Sequence, residues 1–535
     1  MAQRYLFSLE LDRLPSLQSD FLIIGSGIAG LFAAYKARQF GSVLVVTKQR
    51  AEDSNTEMAQ GGIAAAVDEA DSPVLHLEDT LEAGAGLCDA RAVEILVTEG
   101  PLRVMELVKL GVRFDREGSA WDLGREGAHR RRRILHASDA TGGEVARALI
   151  REIRSDQGIT LREGCLLVDF LKHPRSGRCV GALMLDSQSG GFVVCRAPVV
   201  ITATGGAGQL YQNTTNPAVA TGDGAAAAYR AGAELMDMEF VQFHPTALAM
   251  PNVPRFLISE ALRGEGALLR NVRGERFMPR YHQMAELAPR DVVTRAIVRE
   301  MQKTQTSHVL LDISQFEQDR CQTRFPNICD RCRNYGLDLS KGYIPVAPAT
   351  HYVMGGIKTG SDGETNIPGL YACGEAACSG VHGGNRLASN SLLEGLVFGA
   401  RAVAAGWQYL QQLQPEPHQP AGCLDGRSPG AVPAIDDRYW QATSQRVREI
   451  MWEQAGIIRQ GQELSRAAAE LERLDREITC LTPTRSAVEA VSLLTLGRLT
   501  VAAALMRSES RGGHFRSDFP SRDDAYWLRH IVFQI

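Results

Sequence analysis

The sequence predicts an α/β protein in three parts: a parallel sheet assembled from two separated stretches of chain, a unit inserted between them, and a C-terminal set of helices. Three observations predict it. Apolar runs end abruptly in glycines at residues 21–30 (FLIIGSGIAG), 199–206 (VVITATGG) and 369–375 (GLYACGE), and such junctions can meet at the carboxyl edge of one sheet. Residues 411–437 contain five prolines and several glycines, which is linker composition. Beyond them Val447, Ile450 and Met451, then Leu464, Ala468, Leu471, Leu474 and Ile478, then residues 488–506, follow helical spacing.

Residues 21–24 are four apolar side chains in a row, as in a strand buried on both faces. Gly25, Gly27 and Gly30 then fill the GxGxxG spacing. The first glycine makes the tight turn, the second admits a pyrophosphate to the backbone, and the third packs the following helix, residues 31–40, on the strand. A second strand is expected over 42–46. The acid that would hold a ribose about 20 residues on is absent, because this strand ends Val45-Val46-Thr47-Lys48. Lysine cannot accept from a hydroxyl but can neutralise phosphate, so the fingerprint alone leaves NAD and FAD open.

Residues 55–62 (NTEMAQGG) read as a loop against a ligand, and 96–110 as an amphipathic helix ended by Gly111. The run Arg130-Arg131-Arg132-Arg133 reads as a solvated or anion-facing surface, and with no interleaved aromatic it does not suggest nucleic acid. Strands return at 166–171, 180–185 and 199–201. The cofactor unit is therefore expected over 1–240 and 353–415, an inserted substrate unit over 241–352, a linker over 416–437 and a helical domain over 438–535, with an exposed tail rich in Arg507, Arg511 and Arg516. Polar residues gather in the insertion, among them His244, Ser259, Arg290 and His351, where dense polar groups beside apolar ones and glycines suit the binding of something charged.

A chain of 535 residues is too long for one core. Its formal net charge of -4, with 22% charged residues, shows no basic excess for a nucleic-acid partner. No 18 consecutive residues are apolar, and Arg4, Glu10, Asp12 and Arg13 interrupt the first 20, so neither a membrane span nor a secretory signal is expected. Eleven cysteines, an odd number without a framework, suit a reducing compartment, with the cytoplasm as the expected location. Cys329 and Cys332, with Cys321 nearby, lack the second pair or histidines of a zinc site; they read as surface cysteines on a helix, with a redox pair as the alternative, and no metal is expected.

With these residues in view, the chain resembles the flavoprotein family of succinate dehydrogenase, fumarate reductase and L-aspartate oxidase. The resemblance spans nearly the whole chain through GSGIAG, AQGGI, ATGG, TGDG, QFHPT, SEALRGEG, ERFMPRY, ELAPRD, HYVMGGI, GLYACGEA, HGGNRLASNSLLEG and SRGGHFRSDFP. It implies a discontinuous Rossmann-type FAD-binding domain with an inserted α+β capping domain, a hinged lid that excludes water, and a C-terminal helical bundle. It also implies FAD contacts from Gly25, Ser26, Gly27, Ile28, Ala29, Gly30, Lys48, Asn55, Thr56, Glu57, Met58, Ala59, Gln60, Gly61, Gly62, Asp223, Glu375, Ser391 and Leu392.

Two departures choose a branch. Family members with covalent FAD carry a histidine five residues before the AQGG glutamine; here that position is Asn55, whose amide cannot form the bond, so the resemblance implies noncovalent FAD. Residues Arg125-Glu126-Gly127, followed by His129 and Arg132-Arg133-Ile134-Leu135-His136, look like the L-aspartate oxidase branch, which puts the arginine run near an active-site mouth. That branch implies oxidation of L-aspartate to iminoaspartate, with O2 (giving hydrogen peroxide) or fumarate reoxidising the flavin, in NAD biosynthesis toward quinolinate and with possible coupling to quinolinate synthase.

For such a substrate Arg290 and Arg386 supply carboxylate forks, His244, His351 and the Ser259 hydroxyl complete the pockets, and Glu126 attracts the ammonium. The family assigns the Arg290 position as proton donor or acceptor, although a guanidinium is a poor base. The alternative reading is a soluble fumarate reductase or succinate dehydrogenase flavoprotein.

Overall fold

The computed structural model describes residues 4–316, 322–414, 423–424, 426 and 436–535. The expected linker, 416–437, and Cys321 lie almost wholly outside the described residues.

Five parallel strands form the central sheet: β1 (Phe21–Ile24), β2 (Val43–Thr47), β3 (Ile159–Glu163), β4 (Val199–Thr202) and β5 (Leu370–Ala372), in the order β3-β2-β1-β4-β5. β1, β2 and β4 are buried at every position, which is why they are continuous apolar runs rather than alternating ones. The three glycine junctions follow β1, β4 and β5, strands adjacent in the sheet, so they end side by side.

Helix α1 (Ile28–Ala37) begins three residues before the expected start, because Gly27 is already its N-cap. The expected helix 96–110 is a longer one, Ala90–Lys109, started by Asp89, whose carboxylate accepts from the amides of Arg91 and Ala92. The strands Cys165–Lys172 and Cys179–Asp186 join a separate sheet with Phe192–Arg196 and Ser16–Gln18.

The inserted stretch builds its own antiparallel sheet from Val241–Leu248, Tyr343–Val353, Val309–Asp312 and Leu268–Arg270. Around it lie α2 (Glu260–Gly264), α3 (Arg290–Thr304) and α4 (Pro326–Asn334), with a core that includes Leu248, Ile258, Val293, Ile297 and Val346. Cys329 and Cys332 belong to that core and are buried, which corrects the surface expectation: on a helix, residues three apart share a face, and here that face also carries Ile328 inward.

The chain returns to the central sheet and enters α5 (Asn390–Gln412), which packs on α1 so closely that a Cβ at Gly395 or Gly399 would press on Ala29. Three further helices, α6 (Asp437–Gln454), α7 (Gly461–Glu477) and α8 (Arg485–Met506), pack on one another. α8 is long and apolar enough to cross a membrane, and 67% of its apolar window is buried inside the protein, as suits the central helix of a bundle.

The expected exposed arginine tail is instead buried. Arg507 Nε lies 2.6 Å from Glu239 and Arg511 Nε 2.7 Å from Glu509, with all four side chains inaccessible. Arg516 is buried too and forks onto Asp518. Buried guanidinium groups persist where each is paired; the Arg507–Glu239 pair ties this segment to the body of the protein, and the other two brace the segment itself.

Candidate active site

A cavity of about 800 Å³ runs from the carboxyl ends of β1, β2 and β4 to the inner face of the antiparallel sheet. At its first end stands the glycine turn. Gly25 has φ +115°, and a Cβ there would lie 2.2 Å from the Ala203 carbonyl oxygen, so only glycine fits. Gly30 does not line the cavity; a Cβ there would meet the Gly25 carbonyl oxygen, so this glycine lets α1 close on β1 and the expected contact with a cofactor is corrected to packing.

The other eighteen residues expected at a cofactor, from Gly25 to Ala29, Lys48, Asn55 to Gly62, Asp223, Glu375, Ser391 and Leu392, all line the cavity. Lys48 is not free to neutralise phosphate: its ammonium lies 2.6 Å from Asp223 and 2.9 Å from Glu489. Asn55 donates to Glu375 at 3.0 Å, and burial pushes the Glu375 carboxyl up to about 7. Among the described residues, four buried lining atoms have no hydrogen-bond partner, namely Asn55 Oδ1, Gln60 Oε1, Thr204 Oγ1 and Asp223 Oδ1. Unpaired buried polar atoms are costly, and because the Asn55, Gln60 and Asp223 oxygens accept, a ligand that offers hydroxyl and amine donors fits this set.

At the other end the cations converge. Gln242 and His244 sit two apart on one strand and so face the same side. The Gln242 carbonyl oxygen accepts from Arg290 Nη1 at 2.8 Å and from Arg386 Nε at 3.3 Å, which fixes the spacing of the two guanidinium groups. Arg290, the first residue of α3, also donates through Nε to Glu260 at 2.6 Å. Arg386 donates to Ser391 at 2.8 Å and lies 4.5 Å from the centre of the Tyr352 ring, a cation–π platform. Burial and the neighbouring Arg290 bring Arg386 down to about 10, still charged at neutral pH. Both arginines line the cavity, and Nη2 of each makes no hydrogen bond among the described residues.

The rings of His244 and His351 are 5.1 Å apart. Burial and the arginine cations push His244 well below the usual histidine range; burial, His244 and the arginines do the same to His351, so both are neutral. His244 Nδ1 accepts from the Thr246 amide at 3.2 Å, which leaves Nε2–H as a donor. Ser259 lines the cavity and caps α2 by accepting from the Ala261 amide.

Two carboxylates share this end. Burial works against ionisation of Glu260, but Arg290 and Arg263 overcome it and hold it down to about 2. Glu126 is pushed up by burial and by Glu260, and its carboxylate accepts one hydrogen bond among the described residues, from Ser389 Oγ at 2.6 Å.

The arginine run does not reach the cavity. Arg130, Arg131 and Arg132 are exposed, while Arg133 is buried and paired with Asp71 and Asp79 at 2.7 and 2.6 Å. Glu126 alone brings this segment to the site's charge pattern. Gln242, Glu260, Tyr352 and Ser389 went unassigned in the sequence although QFHPT, SEALRGEG, HYVMGGI and LASNS contain them; their side chains acquire meaning only through partners distant in the chain.

Residues 20–392 match the family model described as "FAD binding domain", and 444–535 match "Fumarate reductase flavoprotein C-term". The chain is 46% identical to L-aspartate oxidase of Streptomyces coelicolor, covering 97% of this chain and 92% of that one. It is 43% identical to L-aspartate oxidase of a Nostoc species, covering 96% and 93%. Among solved structures, a chain of E. coli quinol fumarate reductase superposes with a TM-score of 0.89 at 30% identity, covering 97% and 94%. FAD is the cofactor of this family, and its hydroxyl and amine donors fit the unpaired lining atoms. Similarity of this extent shows that the chain belongs to the L-aspartate oxidase branch of the succinate dehydrogenase and fumarate reductase flavoprotein family.

Proposed function

We propose that this protein oxidises L-aspartate to iminoaspartate with FAD, passing electrons to O2, with hydrogen peroxide formed, or to fumarate, as the first step of NAD biosynthesis toward quinolinate. The observation that carries the reading is Glu126. The site already balances Glu260 against Arg290 and Arg263. Glu126 is a further buried carboxylate whose one hydrogen bond among the described residues is from a hydroxyl, in a cavity that Arg290 and Arg386 also line. An ammonium beside it is a favourable neighbour, whereas a substrate without one leaves a buried anion uncompensated.

In this reading the Nη2 edges of Arg290 and Arg386 hold the two carboxylates, with His244 Nε2–H, His351 and Ser259 as directional donors. Gln242 and Tyr352 keep the guanidinium groups from drifting. FAD, when bound, supplies the acceptor for the hydride that leaves the α-carbon. Arg290 takes the family's role of proton donor or acceptor when fumarate is reduced, held in place by its 2.6 Å contact with Glu260. Residues 241–352 act as a capping domain on a cofactor domain of 1–240 and 353–415, with 438–535 as the helical domain. Asn55 in place of the linking histidine supports noncovalent FAD, and the odd number of cysteines without a regular framework supports a cytoplasmic location. Hand-over of iminoaspartate to quinolinate synthase belongs to the same reading.

The test is an anaerobic titration of the purified yellow protein with L-aspartate and, separately, with succinate, following flavin absorbance. Bleaching by L-aspartate, hydrogen peroxide on admission of air, and release of FAD by acid are the expected results. Bleaching by succinate alone, or flavin retained in the acid precipitate, moves the protein to the dehydrogenase branch.

A further inference from the structure

Ser389 stands immediately before α5 with φ 61° and ψ 4°, the left-handed conformation that favours glycine or asparagine. It occupies the N-cap position, where a serine oxygen ordinarily accepts from an amide in the first turn, yet its side chain makes no cap hydrogen bond. Two local preferences are forgone at one residue. What the side chain does instead is accept from the Gly62 amide at 3.3 Å and donate its one hydrogen to Glu126 Oε2 at 2.6 Å.

The backbone around it is pinned. Ser389 O accepts from the Ala64 amide at 3.0 Å, and Ala388 O lies 3.0 Å from His129 Nε2. With the amide of Gly62 on its oxygen, the hydroxyl gives its hydrogen to Glu126. Glycine would relieve the backbone and asparagine would tolerate it, but neither brings a hydroxyl to this point.

We infer that Ser389 is a specificity-determining positioning residue, whose hydroxyl aims the Glu126 carboxylate so that a dicarboxylate bearing an amino group is selected over one without it. The inference rests on the reading of Glu126 given above. The charged groups facing that carboxylate are Glu260 from α2, Arg290 from α3 and Arg386 from the segment before α5, and Ser389 is its hydrogen-bond donor. Arg290 and Arg386 would still receive carboxylates in the absence of the hydroxyl; recognition of the amine is what would be lost.

The experiment uses FAD-loaded Ser389→Ala and Ser389→Gly, measuring kcat/KM for L-aspartate oxidation and for fumarate reduction across pH. The glycine variant relieves the backbone while deleting the donor, so it isolates the hydroxyl if the alanine variant folds poorly. Both variants are expected to lose about tenfold or more on L-aspartate, the range for a hydrogen bond to a charged group, and far less on fumarate. The acid limb for L-aspartate should move to higher pH, because removing the donor favours protonated Glu126. Equal losses on both substrates with an unmoved acid limb would mean a structural role and overturn the inference. Glu126→Gln, run alongside, separates the two claims: a selective loss there with wild-type selectivity in both Ser389 variants rejects Ser389 alone, whereas an equal loss there rejects the Glu126 reading and the inference with it.

Discussion

At the scale of single residues, charge and geometry in the cavity divide labour between binding a dicarboxylate and recognising an amine. Glu126→Gln keeps the shape and removes the anion, so L-aspartate oxidation should fall by about tenfold or more, while fumarate reduction, which needs no ammonium partner, should fall much less. Steady-state kinetics with both substrates checks this, and equal losses would contradict it. The pH dependence has a definite sign. Glu126 must be ionised to attract an ammonium, and burial with Glu260 raises its pKa. The acid limb of kcat/KM for L-aspartate should therefore lie above the ordinary glutamate value of about 4.3 and disappear in Glu126→Gln.

Elements, at the next scale, meet through close approaches that single atoms can spoil. Gly30 lets α1 lie on the carbonyl of Gly25. Gly30→Ala should cost toward or beyond the upper end of the ~1–3 kcal/mol of overpacking, visible as less FAD per chain after purification and a lower melting temperature; full FAD content would contradict it. The C-terminal strand Val532–Phe533 pairs with Leu235–Met236, and beside it His530 Nδ1 lies 2.7 Å from Asp237. The hydrogen bond to Asp237 raises His530. A raised histidine stabilises below its unfolded value of about 6.5 and loses that contribution as pH rises through the folded value. Carboxypeptidase should release the C-terminal residues faster above that range than below it, whereas Asp237→Asn should remove the pH dependence.

Over the whole molecule, the cavity draws its walls from the parallel sheet, the antiparallel sheet and the loops between them, so a ligand there joins parts that otherwise share few covalent connections. FAD that binds the folded chain only should raise its stability by about 2.7 kcal/mol at free FAD near 100 Kd. Denaturant midpoints of apo-protein and FAD-saturated protein measure this, and coincident midpoints would exclude the binding mode described here.

What the sequence by itself determined is the local grammar and the family. Buried parallel strands are unbroken apolar runs, the tight turn after β1 admits only glycine, and the helical spacing after 438 survives into α6, α7 and α8. Each of these depends on neighbours within a few residues, so each is written in order along the chain. Tertiary structure decided the fate of charges. Four arginines in a row became three exposed groups and one buried guanidinium paired with two aspartates, the C-terminal arginines went inside with Glu239 and Glu509, and Lys48 was claimed by Asp223 and Glu489. Ser389 took a left-handed backbone to reach Glu126, 263 residues away. A charge or a hydroxyl has no preferred partner until folding supplies one, because its energy depends on burial and on what stands within a few ångströms, and neither is a property of the residue's place in the sequence.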